Sequence, residues 1–137
     1  MYIIIAGCGK VGAALVNRLS EEGDDVVVID RDINNFSRLG SGSNCMTITG
    51  IPIDEDVLKE AGIEKADALA AVTDDDNTNI MVAQIAQQLY QIPLVIAQVD
   101  DSEKQRAMTA MKLRTVCSAT LTVESFFTAL KKREADK

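Results

Sequence analysis

Short apolar runs alternate with amphipathic segments along the whole chain. The apolar runs are nearly continuous, which is typical of parallel strands buried on both faces. They predict strands at Tyr2–Ala6, Asp25–Asp30, Cys45–Ile48, Ala68–Val72, Leu94–Val99 and Thr115–Cys117. The segments between and after them predict helices at Lys10–Glu22, Asp32–Leu39, Asp54–Ala61, Asp74–Tyr90, Asp101–Met111 and Thr122–Lys132. This alternation predicts an α/β fold with a doubly wound parallel sheet in a single domain.

The connection after the first predicted strand carries the glycine pattern G-x-G-x-x-G, at Gly7, Gly9 and Gly12. Gly7 permits a tight turn, Gly9 lets backbone approach a pyrophosphate, and Gly12 lets the next helix pack closely on the sheet. The second predicted strand ends in Asp30, eighteen residues beyond Gly12. Strand, glycine loop, helix, strand and acid in this order predict a Rossmann-like, nucleotide-binding fold.

The charged residues near this loop suggest how a nucleotide would be held. Asp30 is expected to accept hydrogen bonds from both hydroxyls of an adenosine ribose and to repel a 2′-phosphate, which disfavours NADP. Arg31 beside it weakens the case against NADP, since an arginine at this position can pair with the 2′-phosphate. Lys10 is either a phosphate contact at the rim of the loop or an exposed first-turn lysine.

A second group of polar residues follows the fourth and fifth predicted strands. Thr73 and Asp74 come directly after one strand, and Gln98 lies near the end of the other. Side chains at these carboxyl ends face the crevice in which such sheets bind ligands. The run of aspartates that begins at Asp74 is explained by helix capping, so no metal site is expected.

The amino-acid composition and net charge exclude several classes of function. The chain has 137 residues and 47% apolar residues, enough for one domain with a substantial core. A formal charge of -7 argues against nucleic-acid binding, which depends on cationic contacts to phosphate. Histidine is absent from the sequence, and no catalytic constellation is recognisable, so no catalytic residue is assigned. No apolar run approaches the ~20 residues that span a bilayer, so any membrane role would require a partner.

Five segments resemble one known family, and they cover the chain from Met1 to about Leu130. MYIIIAGCGKVG, VVVID, TGIPID, AVTDDDNTNI and IAQVDDSEKQRAM are similar to the nucleotide-binding N-terminal half of RCK domains, also called TrkA-N or KTN domains. The resemblance implies a cytosolic, Rossmann-like module that forms dimers or rings and binds NAD(H), ATP or ADP. It also implies control of a membrane potassium transporter or channel. The family's C-terminal RCK subdomain is expected to be absent, which leaves residues 1–137 as the N-terminal domain.

The family's nucleotide contacts are carried over onto matching positions of this chain. They fall on Gly7, Cys8, Gly9, Lys10, Val11, Asp30, Ile51, Pro52, Thr73, Asp74 and Gln98. Three of these positions depart from the family pattern. Ile51 replaces the usual aspartate, Gln98 replaces the usual arginine, and Lys10 occupies a position that is often arginine.

Three hypotheses for function follow. The first is a non-enzymatic nucleotide sensor that regulates potassium transport from the cytoplasm, where a partner would hold it at the inner face of the membrane. The second is a small NAD-dependent oxidoreductase that borrows a substrate domain from another chain. The third is a degenerate scaffold that uses the fold only to dimerise.

The last predicted helix carries an apolar stripe. Val123, Phe126, Phe127 and Leu130 recur with the spacing i, i+3, i+4, i+7. The stripe either packs on the chain's own sheet or crosses to a second protomer. The second interpretation predicts a homodimer, or a larger ring, with the same stripe on each partner.

Overall fold

The computed structural model describes residues 1–135, which contain one six-stranded parallel sheet. The strands are β1 (Tyr2–Ala6), β2 (Asp25–Asp30), β3 (Cys45–Thr49), β4 (Ala68–Ala71), β5 (Leu94–Val99) and β6 (Arg114–Cys117). The α-helices are α1 (Lys10–Glu21), α2 (Glu55–Glu60), α3 (Asp76–Gln84), α4 (Ser102–Ala110) and α5 (Ser118–Ala135). Two 3₁₀ turns, Ile33–Arg38 and Ile63–Lys65, and a π turn, Ile85–Leu89, complete the described chain.

The strand order β3-β2-β1-β4-β5-β6 confirms the predicted doubly wound sheet. β1 pairs in parallel with β2 on one side and with β4 on the other. The chain therefore winds in opposite directions from β1, and the connections after β1 and β4 diverge above the sheet. This divergence opens a crevice at the carboxyl ends of the strands, which is where α/β sheets bind ligands.

The central strands are buried on both faces, and successive residues of each strand point to opposite cores. Ile4 and Ile29 face a core that Leu58 of α2 and Val82 of α3 complete. Ile5 belongs to a second core on the other face, with Val28 and with Val16 of α1. Burial on both faces explains why the strands read as continuous β-branched runs.

The prediction of a helix at Asp32–Leu39 is wrong in type, because this segment forms a 3₁₀ turn from Ile33 to Arg38. The turn lacks an apolar stripe of helical period, and its asparagine and serine residues favour local backbone bonds over helix. Asp32 caps the turn: its carboxylate accepts a hydrogen bond from the backbone N–H of Asn34, 3.0 Å away.

The fourth predicted helix starts later and ends differently than expected. α3 begins at Asp76, with Asp75 as its N-cap. Its last turn widens into the π turn, and Gln91 then adopts a positive φ of 52° before β5. The expected single helix to Tyr90 is thus an α-helix followed by a π turn, a difference that apolar periodicity does not reveal.

Helix α5 follows β6 without a loop and begins four residues earlier than predicted. Its apolar side chains are open to solvent: the exposed fraction is 67% for Phe126, 56% for Phe127 and 69% for Leu130. The interpretation in which this stripe packs on the chain's own sheet is therefore wrong.

The close packing of the glycine loop on α1 gives a testable expectation for Gly12→Ala. A Cβ at Gly12 would lie 1.9 Å from the backbone oxygen of Gly7, so the loop or the helix must move. We expect a loss of about 1–3 kcal/mol in the free energy of unfolding, whereas helix propensity alone would give a gain of about 1 kcal/mol. Urea denaturation followed by circular dichroism measures the sign.

Gly9→Ala is the matched control, because no atom lies within 4 Å of a Cβ at Gly9. This variant should keep nearly all of the stability. Equal stability of the Gly12→Ala variant and the unmodified chain would contradict the packing described.

Candidate functional site

One cavity of about 660 Å³ lies at the carboxyl ends of β1, β2, β4 and β5. Its walls come from the glycine loop, the turns after β2 and β3, and the starts of α1 and α3. It is lined by Gly7, Gly9, Lys10, Val11, Asp30, Arg31, Asp32, Asn35, Arg38, Ile51, Pro52, Ile53, Val72, Thr73, Asp74, Asp75, Thr78 and Gln98. This volume is typical of small-molecule and cofactor sites.

The glycine loop forms the floor of the cavity. Gly7 has a φ of +111°, and a Cβ there would lie 2.8 Å from the backbone nitrogen of Thr73. Only glycine fits this backbone conformation so close to the neighbouring chain. Gly9, in contrast, faces open space. The loop thereby brings bare backbone to the cavity.

Helix α1 points its N-terminus at this space without a side-chain cap. Gly9 occupies the N-cap position, and the first intrahelical bond runs from the N–H of Ala13 to the carbonyl of Gly9. By contrast, aspartates cap α2, α3 and α4. The first N–H groups of a helix have no intrahelical partner and lie at the positive end of its dipole, so they suit an anion such as a phosphate.

Asp30, the last residue of β2, holds the glycine loop in place through hydrogen bonds. Its Oδ2 atom accepts a hydrogen bond from the backbone N–H of Cys8, 2.8 Å away. Its Oδ1 atom accepts bonds from the backbone N–H of Asp32, at 2.8 Å, and from the side-chain amide of Asn35, at 3.1 Å. The side chain is buried, with 8% exposed. A carboxylate has about four acceptor positions, so Oδ2 keeps one unused position, and Asp30 lines the cavity.

Cations line the cavity at its β2 end and at the glycine loop. Arg38 donates a hydrogen bond to the side-chain oxygen of Asn35, 2.7 Å away. Arg38 thus supports the residue that holds Asp30. Arg31 is exposed beside it, and Lys10 is exposed at the first position of α1. Lys10 therefore lies at the rim of the loop, next to the uncapped N–H groups.

Cys8 lies beneath the cavity and not in its wall. The side chain is fully buried in the core between the sheet and α1. Burial, with a smaller contribution from the Asp30 carboxylate, raises the pKa of the Cys8 thiol to about 11. The thiol is therefore neutral near pH 7 and acts as a small apolar group. Two bonds link Cys8 to the site: its backbone N–H donates to Asp30, and its thiol donates to the backbone oxygen of Asn35, 3.5 Å away.

Asn79 holds the other end of the cavity. Its side-chain oxygen accepts bonds from the backbone N–H and the hydroxyl of Thr73, at 2.8 and 2.6 Å. Its side-chain nitrogen donates to the backbone oxygens of Thr73 and Gln98, at 3.1 and 3.0 Å. The fully buried amide thus makes four bonds and joins the end of β4 to the end of β5.

Three consecutive aspartates at this end have different roles. Asp74 is exposed and lines the cavity. Asp75 caps α3, and the hydrogen bond from the Thr78 hydroxyl holds the pKa of its carboxyl below the usual range. Asp76 is buried and accepts bonds from the backbone N–H of Asp100 at 2.8 Å and from Lys104 at 3.3 Å. The capping role expected for this run therefore holds for Asp75.

Most residues predicted from the sequence meet in this cavity. Eleven of the predicted positions line it: Gly7, Gly9, Lys10, Val11, Asp30, Arg31, Ile51, Pro52, Thr73, Asp74 and Gln98. Cys8 and Gly12 do not, and instead shape the loop from below. The sequence interpretation missed Asn35, Arg38 and Asn79. Asn35 and Arg38 lie in the 3₁₀ turn just after Asp30, which was the available signal for them. Asn79 lies on α3, and no local signal identified its role.

Residues 1–135 contain neither a membrane-spanning helix nor a cluster of metal ligands. No helix there is long and apolar enough to cross a membrane. The same residues contain no group of three or more cysteine and acidic side chains placed to hold a metal ion.

The chain is similar to proteins of potassium uptake systems. A family model described as the TrkA-N domain matches residues 3–119. The Trk system potassium uptake protein TrkA of Streptomyces coelicolor is 40% identical over 130 residues, which cover 95% of this chain and 58% of that protein. The TrkA homolog of Pyrococcus abyssi is 32% identical over 112 residues, which cover 82% of this chain and 49% of that protein. The chain thus spans about half the length of these relatives.

Solved structures share the fold at low sequence identity. The TrkA-N domain of the inner membrane protein ybaL from Escherichia coli aligns with a TM-score of 0.84, at 17% identity, over 94% of this chain and 96% of that chain. The GsuK channel bound to NAD aligns with a TM-score of 0.82, at 22% identity, over 98% and 24%. The Kef CTD of Shewanella denitrificans in its AMP-bound form aligns with a TM-score of 0.78, at 19% identity, over 96% and 80%.

The bonds of Asn79 predict a large cost for Asn79→Ala. The change leaves the backbone groups of Thr73 and Gln98 without their partner inside the protein, at about 1–3 kcal/mol for each buried unsatisfied group. We expect the free energy of unfolding to fall by about 2–4 kcal/mol, measured by urea denaturation.

Asn77→Ala is the matched control, since Asn77 is exposed in the same first turn of α3. It should change stability by less than about 1 kcal/mol. A similar loss in both variants would mean that the Asn79 bonds carry no particular stability.

Proposed function

The chain belongs to the TrkA-N domain family, and on that premise we propose that it is a nucleotide-sensing regulatory module of a potassium transport system. The observation that carries the proposal is the cavity above the glycine loop, with the uncapped N-terminus of α1 on one side and the open acceptor position of Asp30 on the other. The residues that line this cavity are suited to binding and orienting a ligand. They contain no paired nucleophile and base, so we propose a regulatory protein and not an enzyme.

The proposed ligand is NAD(H) or ATP/ADP, held through its adenosine and its phosphates. Phosphate oxygens would accept bonds from the backbone N–H groups at the start of α1, with Lys10 as a counter-charge. One ribose hydroxyl would donate to Oδ2 of Asp30, because the two bonds to Oδ1 leave little room for a second. Two proteins of the same fold are described as bound to NAD and to AMP, which supports an adenosine nucleotide here as well.

The proposed partner is a membrane potassium transporter or channel subunit. The support comes from the relatives, which are named as potassium uptake proteins. Such a partner places this chain in the cytoplasm, at the inner face of the membrane. Nucleotide binding would favour one arrangement of the module over another, and the transporter would respond to that arrangement.

We also propose that the module is a homodimer or part of a larger ring. Two apolar surfaces of the chain are open at the same edge of the sheet. One is α5, with Phe126 and Phe127 more than half exposed. The other is the face of β5 and β6 that carries Ile96 and Val116, of which Val116 is 42% exposed. In a dimer with twofold symmetry, each copy would cover the exposed apolar surfaces of the other. Both surfaces would then be buried without a further partner.

Nucleotide binding is tested by calorimetry with NAD⁺, NADH, ATP, ADP and AMP on the unmodified chain and on Asp30→Asn. We expect saturable binding to the unmodified chain. The substitution should weaken it by about 1–3 kcal/mol, because the NH2 group of asparagine replaces one acceptor oxygen and would face N–H donors that Asp30 now binds. No heat with any of the five nucleotides would rule out the sensor and favour a scaffold.

Asp32→Asn is the control for the Asp30 measurement. Asp32 also lines the cavity and carries the same charge, but asparagine preserves its capping bond. Binding should change little. Thermal unfolding of both variants checks that any loss in Asp30→Asn is measured on folded protein.

Assembly is tested by light scattering at micromolar concentration. The unmodified chain, of 14.8 kDa, should show at least twice that mass. Phe126→Asp combined with Phe127→Asp should give the monomeric mass, since two charges would be buried without partners in the interface. Glu124→Gln on the same helix is the control. A monomeric mass for the unmodified chain would refute the dimer.

A further inference from the structure

Charge is distributed unevenly along the cavity. At the β2 end, the carboxylates of Asp30 and Asp32 are accompanied by Arg31 and Arg38. Lys10 lies at the glycine loop in the middle. Beyond the loop, at the ends of β4 and β5, the lining residues are Val72, Thr73, Asp74, Asp75, Thr78 and Gln98. This far end therefore has two carboxylates and no lining cation.

The far-end carboxylates have little compensation from their surroundings. Lys104, outside the cavity lining, pairs with the carboxylate of Asp76, 3.3 Å away. Asp75 is ionised at neutral pH, since the Thr78 hydroxyl and two backbone N–H groups lower its pKa, and Lys104 is only the smallest of the causes that lower it. Gln98 at the end of β5 offers a neutral amide. The group that occupies this end of the cavity thus meets a negative potential.

The topology determines which part of a ligand reaches this end. The strand order places Asp30, the glycine loop, Thr73 and Gln98 in sequence across the sheet. An adenosine at Asp30 and a pyrophosphate at the start of α1 would extend over β4 and β5. A third phosphate of a triphosphate, or the second nucleoside of a dinucleotide, would then lie beside Asp74 and Asp75. A cavity of about 660 Å³ that reaches Gln98 has room for such a second group.

From this arrangement we propose that the site selects a dinucleotide whose second base is uncharged or cationic, NAD⁺ foremost, and discriminates against nucleoside triphosphates. The inference rests on the proposed nucleotide-binding function and specifies its ligand. A terminal phosphate would place additional negative charge beside two carboxylates. The cationic nicotinamide ring of NAD⁺ would be attracted by the same carboxylates, so the oxidised form binds more tightly than the reduced form.

The test is a set of dissociation constants for NAD⁺, NADH and ATP, measured by calorimetry at low ionic strength with a chelator and again with Mg²⁺. We expect NAD⁺ to bind at least about fivefold more tightly than ATP in both buffers, and about twofold to threefold more tightly than NADH. These are modest factors because the carboxylates are partly screened by solvent. Added salt should reduce each ratio.

The double variant Asp74→Asn with Asp75→Asn assigns the selectivity to these carboxylates. Asparagine retains the capping oxygen at position 75. The preference for NAD⁺ over ATP should shrink to less than about half of its original ratio, chiefly because ATP binds more tightly. Glu60→Gln with Glu64→Gln is the matched control, as it removes two exposed charges outside the cavity. It should leave the ratio unchanged.

The outcomes separate this proposal from the function on which it rests. ATP that binds as tightly as NAD⁺ in either buffer overturns the selectivity, while nucleotide sensing itself stands. A preference that survives the double variant overturns its assignment to Asp74 and Asp75. Failure of all three ligands to bind overturns this inference, and failure of ADP and AMP as well overturns the proposed function.

Discussion

The hydrogen bond from the backbone N–H of Cys8 to Oδ2 of Asp30 joins the glycine loop to the end of β2. Gly7, Gly9 and Gly12 contribute only backbone, and the buried side chain of the loop is that of Cys8. A buried, charge-assisted bond therefore fixes where the loop begins, and with it the direction in which α1 presents its N–H groups. Asp30 thus shapes the site and, in the proposed function, also contacts its ligand. The bonds to Cys8, Asp32 and Asn35 serve the first role, and the remaining acceptor position on Oδ2 serves the second.

A second anchor lies across the cavity at Asn79, which ties the ends of β4 and β5 together through Thr73 and Gln98. Asp76 extends the connection to Asp100, whose side chain in turn lies 3.4 Å from the hydroxyl of Ser118 at the start of α5. A nucleotide spanning the cavity would bridge the two anchored halves of the sheet. The exposed helix proposed to join two protomers begins at the end of this connection. Hydrogen bonds thus lead from the first turn of α3, beside the site, to the start of α5. A sensor also requires that the nucleotide bind one arrangement of the protomers more tightly than another.

The fold and much of the site were predictable from the sequence because both depend on local signals. Continuous β-branched runs predicted the strands, and the spacing from Gly7 to Gly12 to Asp30 predicted the crevice and its floor. The 3₁₀ turn at Ile33–Arg38 was not predictable as such, because its polar composition is compatible with several turn conformations. Asn79 was missed for a different reason: its role arises from strands that meet only in the folded chain. The exposure of α5 likewise depends on packing, since a stripe at helical spacing looks the same whether it faces its own sheet or another protomer.

The central claim is that the backbone at the start of α1 binds nucleotide phosphates. A titration of ¹⁵N-labelled protein with NAD⁺, followed through the backbone amide resonances, tests it most directly. The account predicts the largest shifts at Gly9, Lys10 and Val11, with saturation, while Gly23 and Gly42 on other loops stay unchanged. Saturable shifts confined to residues outside the cavity, with these three amides unmoved, would contradict it.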